Sequence, residues 1–298
     1  MPIINQITKG GGTTPTGSIS ITNNGTYDVT DKATAVVNVP TTAPASYREF
    51  QLENGVLVNK KRSWIPLPAG TTDITAPYAF YYAYKSIPES ILYGTIDLSM
   101  LTQISGDYVF VYCFMDSPGI QNVLFTNLTT ISGIQSVVNM FSNSGIINVD
   151  FPSLTTISGV AACRDMFSSD FDKPHTITSI NYPELTTISS NYAMQNCFNY
   201  QSLLTSATFP KLSSITGNYA FQTCFRNCTS LASLSFPALT STSFGTNTTQ
   251  FNNMLQDVTG CTVHFPSNLQ SVIGSWADVV AGFGGTNTTV LFDLPATE

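Results

Sequence analysis

Apolar residues recur along this chain at three spacings, and each spacing predicts an element. Triplets such as Val149-Asp150-Phe151 alternate apolar, polar, apolar, which predicts a short half-buried strand. Pro152 follows and ends that strand, because proline cannot donate to a ladder. Leu154 and Ile157 then turn inward, and a Gly or Asn breaks the chain direction before the next stretch. Over 218–227 and just beyond, Ala220, Cys224 and Cys228 stand four apart, the spacing of one face of a helix.

These units repeat. VDFPSLTTISG (149–159), INYPELTTISS (180–190), ATFPKLSSITG (207–217) and LSFPALTSTSF (234–244) align, and IDLSMLTQISG (96–106) and VLFTNLTTISG (123–133) precede them. The leucine anchors are Leu101, Leu128, Leu154, Leu185, Leu212 and Leu239, separated by 27, 26, 31, 27 and 27 residues. A unit this small cannot bury its own apolar face, whereas stacked units can. The fold class expected is an α/β repeat: a leucine-rich-repeat-like solenoid with a parallel sheet, plus a small N-terminal β region. A half-copy at 76–87 and a strand at 262–269 bound the series.

The ends have another texture. KGGGTTPTG (9–17) has linker composition. In 18–40, Ile19, Ile21, Tyr27, Val29, Val37 and Val39 lie at strand spacing, and Asn24-Gly25 predicts a hairpin. Asn54-Gly55 predicts another within 47–68. A helix is expected from the N-cap Ser267, with Leu269, Val272, Ile273, Trp276, Val279 and Val280 as its apolar stripe. VLFDLP (290–295) gives a last strand. The expected organisation is an arm and linker over 1–17, a β-rich anchoring region over 18–68, the solenoid over 69–266 and a C-terminal cap over 267–298.

Composition narrows the picture. Only 10% of residues are charged and the net charge is −7, so the polar surface is built from Ser, Thr and Asn, and the basic footprint of a nucleic-acid binder is absent. No apolar run approaches the roughly 20 residues of a membrane span. The opening MPIINQITKGGG is not a basic segment followed by a long apolar one, so synthesis in the cytoplasm is expected. Cys113, Cys197 and Cys224 each follow a repeat leucine by twelve residues, and Met140 and Met166 hold the same slot. A slot that takes Cys or Met is buried and apolar, so free core thiols are expected rather than disulfides.

Two places stand out as candidate binding surfaces. Outward positions on the repeat strands are short and polar: Asp97, Asn122, Asn148, Asp150, Asn181, Thr208, Ser235 and His264. Stacked in parallel they form a continuous face suited to a glycan or another protein chain, although any exposed sheet face needs polar residues. The second place is the unit with the 31-residue gap, whose segment 164–175 holds the densest charge of the solenoid, with Arg164, Asp170, Asp172 and His175. Insertions in repeat proteins map to loops, often on a functional face. The acidic spacing fits no standard calcium loop, and a solvated loop explains it better than a metal site. Tyr78, Tyr81, Tyr82, Tyr84, Tyr108 and Tyr112 crowd the first units, where Tyr81 and Tyr82 cannot both face inward on one element.

No nucleophile elbow, zinc-protease motif, phosphate loop or dinucleotide fingerprint occurs, and carboxylates are scattered. No enzyme, cofactor or metal is therefore expected. Ala220-Phe221-Gln222-Thr223-Cys224 and Ser230-Leu231-Ala232-Ser233-Leu234-Ser235-Phe236-Pro237 resemble the unit of the BspA-type leucine-rich repeat over about two thirds of the chain. The period here is longer, and several units lack the Cys. ITNNGTYDVTDKATAVVNV (21–39) resembles an element of tail and other virion proteins of phages of Gram-positive hosts, with Lys32 departing from the usual aromatic or glycine. The resemblance implies a phage virion protein: a tail-fibre or receptor-binding protein, or else a head fibre or capsid decoration protein. A bacterial surface adhesin is the rival. The expected partners are other virion proteins through residues 1–45 and a host glycan or protein, with no nucleic acid and no membrane. A homo-oligomer is compatible, but no heptads or collagen repeats enforce one.

Overall fold

The computed structural model describes residues 17–20, 50–53, 56–59 and most of 72–297, apart from 76, 78–79, 82–84, 87–93, 174, 241–248 and 272–281. The strands are numbered in chain order. The described chain winds as a parallel β-solenoid, and each full coil supplies two short strands and a run of turns. The first strands of successive coils are β4 (Gly94–Asp97), β6 (Ile120–Leu124), β8 (Asn148–Asp150), β10 (Ser179–Asn181), β12 (Ser206–Thr208), β14 (Ser233–Ser235), β15 (Thr262–Pro266) and β16 (Thr289–Leu294). The second strands are β5 (Gln103–Ile104), β7 (Thr130–Ile131), β9 (Thr156–Ile157), β11 (Thr187–Ile188) and β13 (Ser214–Ile215).

The second strands pair in one uninterrupted parallel ladder from β5 to β13. The first strands pair in three stretches, β4 with β6, β8 with β10, and β12 through β14 and β15 to β16. An early strand, β1 (Gly17–Ser20), lies parallel to β4, so this piece of the N-terminal region joins the edge of the solenoid sheet. The hairpin expected around Asn54-Gly55 is present as β2 (Phe50–Glu53) against β3 (Val56–Asn59), antiparallel with Glu53 opposite Val56. The hairpin expected at Asn24-Gly25 lies outside the described residues.

The helical expectation for 218–227 is corrected. Tyr219, Thr223 and Asn227 have φ of 57°, 51° and 57°, which no α-helix contains. The coil at 135–144 shows the hydrogen bonding in full. Gln135, Val137, Asn139, Phe141 and Asn143 donate their N–H groups to carbonyls of the next coil, from Val160 to Ser168, at 2.9–3.2 Å. The residues between them, Val138, Met140, Ser142 and Ser144, donate three positions back within their own coil, at 3.1–3.5 Å. An α-helix would send every N–H four back along one segment. This backbone nevertheless repeats every four residues, with positive φ at Gln135, Asn139 and Asn143. Its apolar side chains therefore recur at i and i+4, the spacing that suggested a helix. The described helical elements are two short 3-10 turns, Thr249–Phe251 and Ser267–Ser271. The latter begins where the C-terminal helix was expected, and the body of that helix falls in 272–281, outside the described residues.

Two aromatic columns fill the core. Phe114, Phe141, Phe167, Phe198 and Phe225 stack face to face at 5.3–5.7 Å between centroids. Phe125, Phe151, Tyr182, Phe209, Phe236 and Phe265 form the second column at 4.9–5.8 Å. The columns meet edge to face, for example Phe151 with Phe167 at 6.3 Å and 71°. Each buried ring contributes about 1.5–3 kcal/mol from burial. Leu101, Leu128, Leu154, Leu185 and Leu212, the repeat anchors, are fully buried.

The repeat glycine has a different task from turning the chain. A Cβ at Gly133 would stand 2.0 Å from the carbonyl oxygen of Gly106, and one at Gly159 would stand 2.1 Å from that of Gly133. Successive coils thus touch backbone to backbone at this column.

Candidate binding face

Thiols are the strongest nucleophiles of the chain. Cys113, Cys163, Cys197, Cys224, Cys228 and Cys261 are all buried thiols outside any disulfide. Burial pushes Cys163 up to about 12 and Cys197 and Cys224 well above the ordinary thiol range. They are packing groups, not reactive ones. Among the described residues no three His, Cys, Asp or Glu side chains gather as a metal site.

The outward positions of the first strands come into register across coils. Asn148 and Asp150 on β8 stand opposite Ser179 and Asn181 on β10. Ser179 Oγ donates to Asn148 Oδ1 at 2.8 Å, and Asn181 Nδ2 donates to Asp150 Oδ1 at 2.9 Å. Farther along, Thr208, Ser235 and His264 align on β12, β14 and β15. His264 Nδ1 lies 2.9 Å from both carboxylate oxygens of Asp293, a partner the sequence did not single out. Asn122 is half-buried on β6, and Leu124 interrupts the polar column as an exposed apolar residue. Asp97 is placed by backbone register alone, opposite Leu124 on one side and Ser20 on the other. Inward partners such as Val149, Ala207, Leu234 and Val263 are buried, so the alternation holds on each of these strands.

A second polar face escaped the sequence reading. The LTTIS stretches place Thr130, Thr156, Thr187 and Ser214 outward on the short-strand ladder. Their neighbours Thr129, Thr155 and Thr186 donate hydroxyls to carbonyls of the preceding coil at 2.9–3.1 Å. The signal was present as the repeated TT dipeptide. Those second hydroxyls already bond to backbone, so this face serves cohesion between coils first.

The segment 164–175 divides into two environments. Arg164 belongs to the run of turns, with Nη2 3.4 Å from Gln135 Oε1 and Nε 3.5 Å from Asp165 Oδ2. Burial raises Asp165 from 3.8 to about 6, against the opposing pull of the Asn196 hydrogen bond and the Arg164 charge. The loop proper follows Ser169. Asp170 N–H donates to Asn143 Oδ1 at 2.8 Å, and Asn143 Nδ2 donates back to Asp170 Oδ2 at 2.9 Å. Asn143 Nδ2 also reaches Asp116 Oδ1 at 3.0 Å, which ties three coils together. His175 lies 3.0 Å from Ser202 Oγ and 3.1 Å from the carbonyl of Asp170. Asp172 is exposed and pairs with Lys173 at 3.7 Å. The loop is closed from beneath by Gln201, which is buried, donates to the Phe167 carbonyl at 2.7 Å and accepts from Ile177 N–H at 3.2 Å. Gln201 carries no motif and was not singled out.

Of the crowded tyrosines, Tyr108 and Tyr112 are half-buried and Tyr81 meets Tyr112 edge to face at 6.2 Å. Tyr78, Tyr82 and Tyr84 lie outside the described residues.

Comparison with family models, with curated proteins and with solved structures finds no match to this chain.

Proposed function

We propose that this chain is a display module of a bacteriophage particle, a tail-fibre or receptor-binding protein that offers its first-strand face to a host-surface glycan or protein. The carrying observation is the register of short polar side chains across coils, Asn148 with Ser179 and Asp150 with Asn181. Cross-coil hydrogen bonds hold these groups in place before any ligand arrives, which lowers the entropy lost on binding. Parallel stacking of coils supplies an extended surface, an arrangement suited to extended partners. The N-terminal element at 21–39 supports a virion location, with residues 1–45 as the contact to other virion proteins. The charge of −7 disfavours nucleic acid as the partner.

The test is binding of the full-length protein to intact Gram-positive cells and to isolated wall glycans. The full chain is required, since β1 pairs with the solenoid edge. Binding that falls at least about tenfold in Asp150→Lys and Asn181→Lys supports this reading, a loss equal to about 1.4 kcal/mol. Attachment to phage heads or tails without any binding to cells or glycans would reassign the protein to capsid decoration.

A further inference from the structure

The corner that follows Ser169 carries the extra residues of the 31-residue repeat, the longest of the series. Nine residues lie between Ser169 and β10, whereas four lie between the equivalent Asn143 and β8. At the tip of the extra chain stands Phe171, 82% exposed, the most exposed large apolar side chain among the described residues. Its ring meets Tyr200 edge to face at 6.3 Å and 72°. The His175 ring lies 5.9 Å from the same tyrosine.

The loop that carries Phe171 is braced. Besides the paired bonds between Asn143 and Asp170, Lys173 N–H donates to the Asp170 carbonyl at 3.0 Å. The carbonyl of Asp170 can only accept, so His175 Nε2 carries a proton, and Nδ1 of the same ring lies 3.0 Å from Ser202 Oγ. Phe171 is thus held in water by a braced loop, and among the described residues its contact with the Tyr200 ring leaves it 82% exposed.

We infer that Phe171, with Tyr200 and His175 behind it, is a stacking platform for a pyranose ring of a glycan. This rests on the reading above that the partner carries sugars, and it moves the first contact from the sheet face to the insert. An aromatic side chain offers about 150–250 Å² of surface, a footprint that one pyranose ring covers. A pyranose also matches the chemistry. One face of the ring is a set of C–H bonds that fits the negative face of an aromatic ring. Its edge carries hydroxyls, and polar groups stand nearby: the exposed carboxylate of Asp172 follows Phe171 in the chain, and Ser202 Oγ lies 3.0 Å from His175. A few placed polar groups beside an apolar contact fix the orientation of a small ligand.

The experiment is saturation-transfer NMR on the full-length protein with methyl glucoside, methyl galactoside, methyl mannoside and N-acetylglucosamine, each at millimolar concentration. Saturation of the protons on one ring face of at least one sugar is expected. Phe171→Ala should weaken it about five- to tenfold, the scale of one aromatic contact, and Phe171→Trp should restore it. Circular dichroism of both variants should match the unaltered protein. The absence of saturation with every sugar, or equal saturation in Phe171→Ala, overturns the inference. Cell binding that survives Phe171→Ala and fails in Asp150→Lys overturns it too, and leaves the sheet-face reading standing. Sugar saturation that depends on Phe171, without any binding to cells, upholds the platform and removes the host-attachment reading.

Discussion

The corner at 143–148 and the corner at 169–179 do the same structural job with four and nine intervening residues. In both, the residue two before the strand points inward: Ile146 and Ile177 are each 1% exposed. The aromatic column passes under both without a step, with Phe141 to Phe167 at 5.6 Å and Phe167 to Phe198 at 5.7 Å. The added chain is therefore confined to the outside. Coils are constrained where they touch, and corners that face water accept extra residues at a small entropic cost. A repeat protein can thus gain a candidate site at a corner without disturbing its core.

The largest expected effect would break this comparison if the two coils were not equivalent within. Phe141→Ala and Phe167→Ala should each lower unfolding stability by about 3–5 kcal/mol, because each removes a buried ring that cannot be replaced by collapse. Chemical denaturation of both variants checks this, and a difference of more than about 2 kcal/mol between them would show unequal interiors. Next, Gly133→Ala should cost about 2–3 kcal/mol, since its Cβ meets a backbone oxygen that can yield only if two coils separate. The same alanine at Gly260, where a Cβ meets nothing within 4 Å but φ is +76°, separates crowding from backbone strain.

Gln201→Ala tests the seam of the longer corner. It leaves the Phe167 carbonyl and the Ile177 N–H without their partner, at about 2 kcal/mol. Hydrogen exchange should quicken at Ile177 and leave Ile146 unchanged.

A smaller effect depends on pH. The slot held by Asn139 in the regular coil is held by Asp165 in the longer one, and burial raises that carboxyl to about 6. A raised folded-state value means that the folded chain holds the proton more tightly than the unfolded chain. The associated stability is fully present below about 3.8 and is lost as pH rises through about 6. Asp165→Asn should therefore match the unaltered protein near pH 4 and exceed it by about 1–2 kcal/mol above pH 7. Urea midpoints at the two pH values read this directly. Smallest of all, Phe171→Ala should change stability by less than about 0.5 kcal/mol, as for other surface positions, and thermal unfolding checks it.

The repeat, its period and its core were legible in the sequence because they rest on burial, which writes itself as recurring Leu, Phe and Cys. The soft apolar slot shared by Cys113, Met140, Met166, Cys197 and Cys224 was readable for the same reason, and all five are fully buried. The turn run was misread because a four-residue backbone repeat and a helix place apolar side chains at nearly the same interval. The left-handed φ at every fourth residue and the partners of the N–H groups distinguish them, and for alternate residues that partner lies 25 or more residues away, as with Gln135 and Val160.

The candidate face was half legible. Outward polarity on each strand followed from alternation, so Asn148, Asp150, Asn181, Thr208, Ser235 and His264 were found. The match of Asp293 to His264 and of Asn143 to Asp170 was not, because a hydrogen bond between coils depends on stacking and leaves no local pattern. Phe171 was merely one aromatic in a charged stretch until folding decided which phenylalanines reach the core. Sequence alone determined that this chain stacks, how often and around which side chains, since hydrophobic periodicity is a property of one strand of chain. The tertiary structure decided what the coils say to one another and to solvent, since hydrogen-bond partners and exposure are properties of neighbours.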